Sequence, residues 1–143
     1  TGDARGGAAA SMRGAVGVQR GTRVLVAKQC GVHQNYKNKV LKANDIATMS
    51  TGKRLGHPVR SIKNPYTKEY FKLEYSNISD EELEAYGRGS LYRAAVEGDE
   101  KTGCFLAGQI AGMVNKEQTA KEIIEEIFTQ AEDVLKGATK WVK

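Results

Sequence analysis

The run GVQRGTRVLVAK, residues 17–28, constrains the chain more than any other stretch. Val18, Val24, Leu25 and Val26 favour strand geometry, so residues 17–26 read as one buried strand interrupted by Gly21-Thr22. Gly21 lacks a Cβ, and its amide can come close to a ligand. Thr22 sets a hydroxyl beside it. A glycine-threonine pair within or ending a buried strand can hold a phosphate through main-chain N–H groups. The same pair also fits a bulge or a tight bend.

A chain of 143 residues is one domain or part of a larger one. No stretch approaches the length of a membrane span, and no charged-then-apolar leader is visible. Cys30 and Cys104 show no metal or redox spacing and read as reduced thiols of a cytoplasmic protein. The charge is uneven. Residues 1–75 carry 14 Lys/Arg against 4 Asp/Glu, whereas residues 76–100 carry 2 against 7. A basic half suggests an acidic partner such as a phosphorylated cofactor, a nucleic acid or an acidic protein. On charge alone a solvated surface is the better explanation.

The remaining elements follow from local signals. Asp3 is a candidate cap for a short helix over residues 8–15, which Gly6, Gly7 and Gly14 weaken. Asn35 caps a helix over 35–43 with Tyr36, Val40 and Leu41 on its apolar face. Residues 45–51 are strand-like and end at Gly52. Pro58 and Pro65 keep the residues before them extended, and Pro65 opens a helix carrying Tyr66, Tyr70, Phe71 and Leu73. Ser79 and Glu82 form a capping box. The helix it starts is interrupted at Gly87 and Gly89 and resumes over 91–97. Residues 104–114, CFLAGQIAGMV, read as a packed helix with Gly108 and Gly112 on one face, where another backbone can approach. A last helix over 117–141 carries the stripe Ile123, Ile124, Ile127, Phe128, Ala131, Val134, Leu135, Ala138 and Trp141, which is core or a partner interface.

Catalytic patterns are sparse. His33 and His57 have no Cys or carboxylate at ligand spacing, so no metal site is expected. No G-x-S-x-G elbow, Walker loop or G-x-G-x-x-G fingerprint occurs. The aromatic residues do not interleave with the basic ones as they do in nucleic-acid-binding surfaces, so no nucleic-acid partner is expected. No catalytic residue is assigned.

The segments GVQRGTRVLVAKQCGVHQNYKNKVLKA, GKRLGHPVRSIKN and GCFLAGQIAGMVNKEQTAKEIIEEIF closely resemble the C-terminal part of flavin-dependent enoyl-acyl-carrier-protein reductases, bacterial enzymes related to nitronate monooxygenases. The resemblance implies an α/β fold: the last strand and helix of an eight-stranded TIM barrel over residues 1–34, then a mostly helical subdomain over 35–143. It implies FMN as cofactor, NADH or NADPH as hydride source, an enoyl thioester on acyl carrier protein as substrate, a homodimer and a cytoplasmic location. It places Gly21 and Thr22 on the FMN phosphate, with Gly2 and Asp3 contributing from the preceding loop, and GHPVRSIKN near the cofactor mouth. The basic first half suits docking of an acidic carrier protein.

The family's chains are longer, and the resemblance places the strands of the isoalloxazine pocket and a histidine-glycine segment before Thr1. Arg13 and Arg20 stand where the family prefers apolar residues, and Val16 where it has an acid. Buried without a partner, Arg20 would cost several kcal/mol. A fragment of a reductase and an engineered truncation both account for these departures. The alternative to an enzyme is a helical interaction module that associates through the 117–141 stripe and the Gly108/Gly112 face.

Overall fold

The computed structural model describes residues 2–141; Thr1, at the start of the expected N-terminal loop, and residues 142 and 143 lie outside them. Its elements are helix α1 (Ala4–Met12), the single turn α2 (Thr22–Leu25), α3 (Gln34–Leu41), strands β1 (Thr48–Thr51) and β2 (Val59–Ile62), α4 (Pro65–Glu74), α5 (Asp80–Gly87), α6 (Ser90–Tyr92) and α7 (Ala120–Gly137). A π-helical turn, Arg93–Glu97, extends α6, and 3-10 turns occupy Gln109–Met113 and Ala138–Trp141. The fold is α/β, with a small sheet among helices.

Capping decides most helix starts. The Asp3 carboxylate accepts from the Gly6 amide at 3.0 Å and opens α1. His33, not Asn35, caps α3: its Nδ1 accepts from the Asn35 amide at 3.1 Å. Asn64 and Thr67 close a reciprocal box around Pro65 at the head of α4, and Ser79 with Glu82 does the same for α5. Thr119 and Glu122 form a third box at α7. Each satisfies amides that have no intrahelical acceptor.

The expected strand over 17–26 is not formed. Residues 15–20 run without a strand partner among the described residues, and Gly21, at φ −84° and ψ −70°, starts a helical turn instead. The Val24 and Leu25 amides both donate to the Gly21 carbonyl, at 3.0 and 2.9 Å. Strand propensity expresses packing against neighbouring strands, and the apolar run finds none. Val26 and Ala27 are nonetheless buried, and Ala27 makes one parallel bridge to Gln118.

The expected helix over 104–114 is corrected as well. β1 and β2 pair antiparallel with Thr48 opposite Ile62. Residues 104–107 run along the far side of β2: the Ile62 amide donates to the Phe105 carbonyl at 2.8 Å, and the Ala107 amide to the Arg60 carbonyl at 3.1 Å. Only Gln109–Met113 turns, and as 3-10 helix. The sheet edge thus outcompetes the helical pattern for these amides. Phe105, fully buried, meets the Tyr36 ring edge-on at 5.0 Å in the main core with Val26, Val40, Ala111 and Val114. A second cluster gathers Tyr66, Tyr70, Leu83 and Cys104.

Gly112 is a point of close backbone approach, although not on a helix face shared with Gly108. A Cβ there would stand 2.8 Å from the Asn44 carbonyl carbon and 3.0 Å from the Asp45 nitrogen. Main chain cannot swing aside as a side chain can. Gly112→Ala is therefore expected to destabilise the fold by about 2 kcal/mol, in the range of overpacked cores, read as a lower urea midpoint. An unchanged midpoint would mean that the 42–47 segment yields freely.

The 117–141 stripe is mostly not core. α1 packs along α7; Ala4, Gly7 and Ala8 of α1 and Ile123 of α7 are buried. Ile124, Phe128, Val134, Leu135 and Trp141 are exposed.

Candidate functional site

Gly21 is exposed, and nothing lies within 4 Å of the position a Cβ would take. The first helical bonds of α2 run from Val24 and Leu25, so the amides of Gly21, Thr22 and Arg23 precede them and have no acceptor within the turn. The Thr22 hydroxyl is not idle. Its Oγ1 accepts the Gly108 amide at 2.8 Å, which leaves the hydroxyl proton free to be donated elsewhere. This bond links residues 86 apart in sequence and pins the turn to the head of the 3-10 segment.

A shallow hollow of about 280 Å³ opens beside it, lined by Thr22, Leu25, Val59, Arg60, Leu106, Ala107 and Gly108. Arg60 brings a permanent positive charge to this hollow, and its Nη1 donates to Thr48 Oγ1 at 3.1 Å. Sequence reasoning did not single out Arg60. The available signal was its place in GHPVRSIKN, the segment assigned to the cofactor mouth.

Gly2 reaches the same neighbourhood by another route. A Cβ on Gly2 would stand 3.1 Å from Met113 Sδ and 3.2 Å from Ile110 Cβ. Gly2 and Thr22 therefore pack on two parts of one short segment, residues 108–113. The Asp3 carboxylate is committed to the Gly6 amide and to Arg5 Nε at 2.7 Å, and these bonds, the first above all, hold it below the usual carboxylate range. An anionic carboxylate repels a phosphate, so any contribution of Asp3 comes from its main chain.

Two buried cations anchor the far end of the turn. Arg23 donates to the Gln118 side chain and to the Lys116 carbonyl. Lys37, 4 % exposed, points Nζ at the Ala27 carbonyl at 2.8 Å, the Lys28 carbonyl at 3.3 Å and Glu117 Oε1 at 3.3 Å. Arg20 behaves differently. Its Nε, Nη1 and Nη2 are shut off from solvent and have no hydrogen-bond partner among the described residues. The other two departures, Arg13 and Val16, are exposed.

His33 is occupied as a helix cap and His57 is exposed. No group of three metal-ligating side chains occurs among the described residues. Cys30 and Cys104 are both free thiols, and burial pushes Cys104 up. No helix among the described residues is long and apolar enough to cross a membrane.

A family model described as nitronate monooxygenase matches residues 1–130. A probable nitronate monooxygenase of Staphylococcus saprophyticus is 28% identical over 134 residues, covering 93% of this chain and 37% of its own length. One from Bacillus subtilis is 26% identical over 125 residues, covering 87% and 36%. Among solved structures, FabK from Thermotoga maritima superposes with a TM-score of 0.94 at 37% identity, over 99% of this chain and 45% of that one. A nitroalkane oxidase from Streptomyces ansochromogenes shares the fold, with a TM-score of 0.77 at 22% identity over 96% of this chain and 39% of its own. The chain spans less than half the length of each of these relatives.

Proposed function

The chain belongs to the nitronate monooxygenase family, and on that premise we propose that it is the phosphate-gripping part of an FMN-dependent enoyl-acyl-carrier-protein reductase. Residues 1–34 are then the end of an α/β barrel and residues 35–143 the mostly helical portion after it. The observation that carries this reading is the open Gly21 turn fastened by Thr22 to Gly108 at 2.8 Å. Enoyl reduction is supported by the resemblance of residues 17–128 to the reductases; identity to FabK is 37%, against 28% and 26% to the two nitronate monooxygenases.

The residues present fit the phosphate end of FMN. Consecutive main-chain amides at the start of a helical turn form an anion-binding concavity, and the empty space at Gly21 lets a phosphate approach them. The Thr22 hydroxyl adds a side-chain donor, and Arg60 adds charge at the rim of the hollow. Bound FMN supplies the hydride relay from NADH or NADPH to the double bond of a carrier-bound enoyl thioester. What this chain contributes is orientation: it holds the phosphate so that the flavin has one register.

Thr22→Val keeps the shape but removes the hydroxyl and leaves the Gly108 amide without its acceptor. The expected result is at least a tenfold loss of FMN affinity, about 1.4 kcal/mol, in a flavin-fluorescence titration. Equal affinities for Thr22→Val and the parent chain would remove Thr22 from the site. With FMN bound, NADH-dependent reduction of an enoyl thioester is the expected activity. Oxygen-dependent consumption of an alkyl nitronate in its place would assign the chemistry named for the relatives.

A further inference from the structure

Six lysines from four separate stretches converge beside the end of β2: Lys39 and Lys42 at the end of α3, Lys63 just after β2, Lys68 and Lys72 of α4, and Lys101 of the loop beyond the π-helical turn. They line two hollows, of about 460 and 720 Å³, which share Lys39, Lys63 and Glu100 and so form one groove. Two of the lining residues are acids, and both are engaged: Glu100 pairs with Lys39 at 3.0 Å and Glu69 with Lys72 at 3.1 Å. Lys42, Lys63, Lys68 and Lys101 are exposed and have no carboxylate partner among the described residues. Like charges gathered in a concavity repel one another, and the field they focus there favours an acidic partner.

The lining points to a protein as that partner. No aromatic ring borders the groove, so it offers no platform for base stacking. One end has an apolar floor of Ala43, Ala47 and the exposed Ile46. An acidic helix with an apolar side chain among its carboxylates covers such a floor; a sugar–phosphate backbone does not. Position adds a second argument. β2 runs from the Thr22 hollow, bordered by Val59 and Arg60, to this groove, bordered by Ile62 and Lys63. Arg60 and Lys63 are three residues apart, about 10 Å along an extended chain. A protein seated on the lysines therefore lies close beside the hollow assigned to the flavin phosphate.

We propose that this groove is the docking face for the acidic carrier protein that brings the enoyl thioester, with Lys63, common to both hollows, at its centre and Ile46 at its apolar end. The assignment rests on the reductase reading above and adds to it the surface on which the partner is met. Its lysines act on association with the carrier and leave flavin binding to the Gly21 turn.

The test is fluorescence anisotropy of a labelled bacterial acyl carrier protein, bearing its prosthetic arm but no acyl chain, titrated with the 143-residue chain. Binding is expected at low salt and should weaken at least tenfold at about 1 M salt, where the screening length is about 3 Å. Lys63→Glu combined with Lys68→Glu should weaken it at least tenfold. Lys121→Glu combined with Lys140→Glu makes the same change of net charge away from the groove and should stay within twofold of the parent. FMN affinity should be unchanged in the Lys63/Lys68 double variant, which separates loss of docking from loss of the flavin site. Absence of binding at low salt, or equal losses in the two double variants, would overturn the docking face, while the reductase reading stands or falls on the flavin titrations. Tighter binding of an RNA oligonucleotide of equal charge would overturn the choice of a protein partner.

Discussion

Arg20→Met is expected to raise the stability of the ligand-free chain by about 3 kcal/mol, roughly 10 °C in melting temperature for a domain of this size. A cation taken out of water loses several kcal/mol of hydration and regains them only through partners. Arg20 has no hydrogen-bond partner among the described residues, and the charge of the Asp3 carboxylate offsets its burial only in part. Methionine fills the same slot beside Gly7 with an unbranched apolar chain and strands no donor. The gain is large against the 5–15 kcal/mol that holds a typical domain together. Thermal unfolding followed by circular dichroism reads it directly. A fall in melting temperature would show that the guanidinium has a partner the account lacks.

Lys37→Met is expected to shift stability the other way, by about 3 kcal/mol. Lys37 is buried like Arg23 and Glu74, but three acceptors surround its Nζ within 3.3 Å. Its removal leaves the Ala27 carbonyl with the Cys30 amide as its donor and takes away the charged hydrogen bonds to the Ala27 and Lys28 carbonyls, a loss on the order of 1–3 kcal/mol. The Glu117 carboxylate, 28% exposed, recovers part of its loss from water. The damage is local to the joint between residues 27–28 and 117, so urea titration should show a lowered midpoint with little change in slope. An unchanged midpoint would mean that the joint is held by Arg23 and the Ala27–Gln118 bridge alone. Burial by itself thus does not set the sign of a charge's effect; the partners do.

What could be read from the chain in advance was what depends on a few neighbouring residues. The Asp3 cap, the Ser79–Glu82 box and Pro65 at the head of α4 each act over three or four positions, and all are present. The errors share a different cause. Residues 17–26 carry strand-forming side chains, but a strand needs a neighbour, and propensity does not supply one. Residues 104–114, CFLAGQIAGMV, read as a helix, whereas the edge of β2 accepts the Ala107 amide and donates to the Phe105 carbonyl. The His33 cap displaced Asn35 because an imidazole nitrogen accepts as well as an amide oxygen.

The candidate site was legible only at one point. Gly21 and Thr22 stood out as residue types, but the bond from the Gly108 amide to Thr22 crosses 86 positions, and no local pattern marks it. Arg60 enters the hollow through the pairing of β2 with residues 104–107, which sequence reading had placed in a helix. The apolar stripe of α7 was visible as a stripe, but its periodicity is the same whether it faces a core, a cleft or a second molecule.

The central claim is that main-chain amides and one hydroxyl at Gly21-Thr22 hold a flavin by its phosphate. Parallel titrations of this chain with FMN and riboflavin, which share the ring system and differ at the phosphate, test it most directly. The account predicts that FMN binds near 0.1 mM or tighter, about −5.5 kcal/mol, and that riboflavin binds at least tenfold more weakly. Equal affinities for the two flavins, or no binding of either at millimolar concentration, would contradict it.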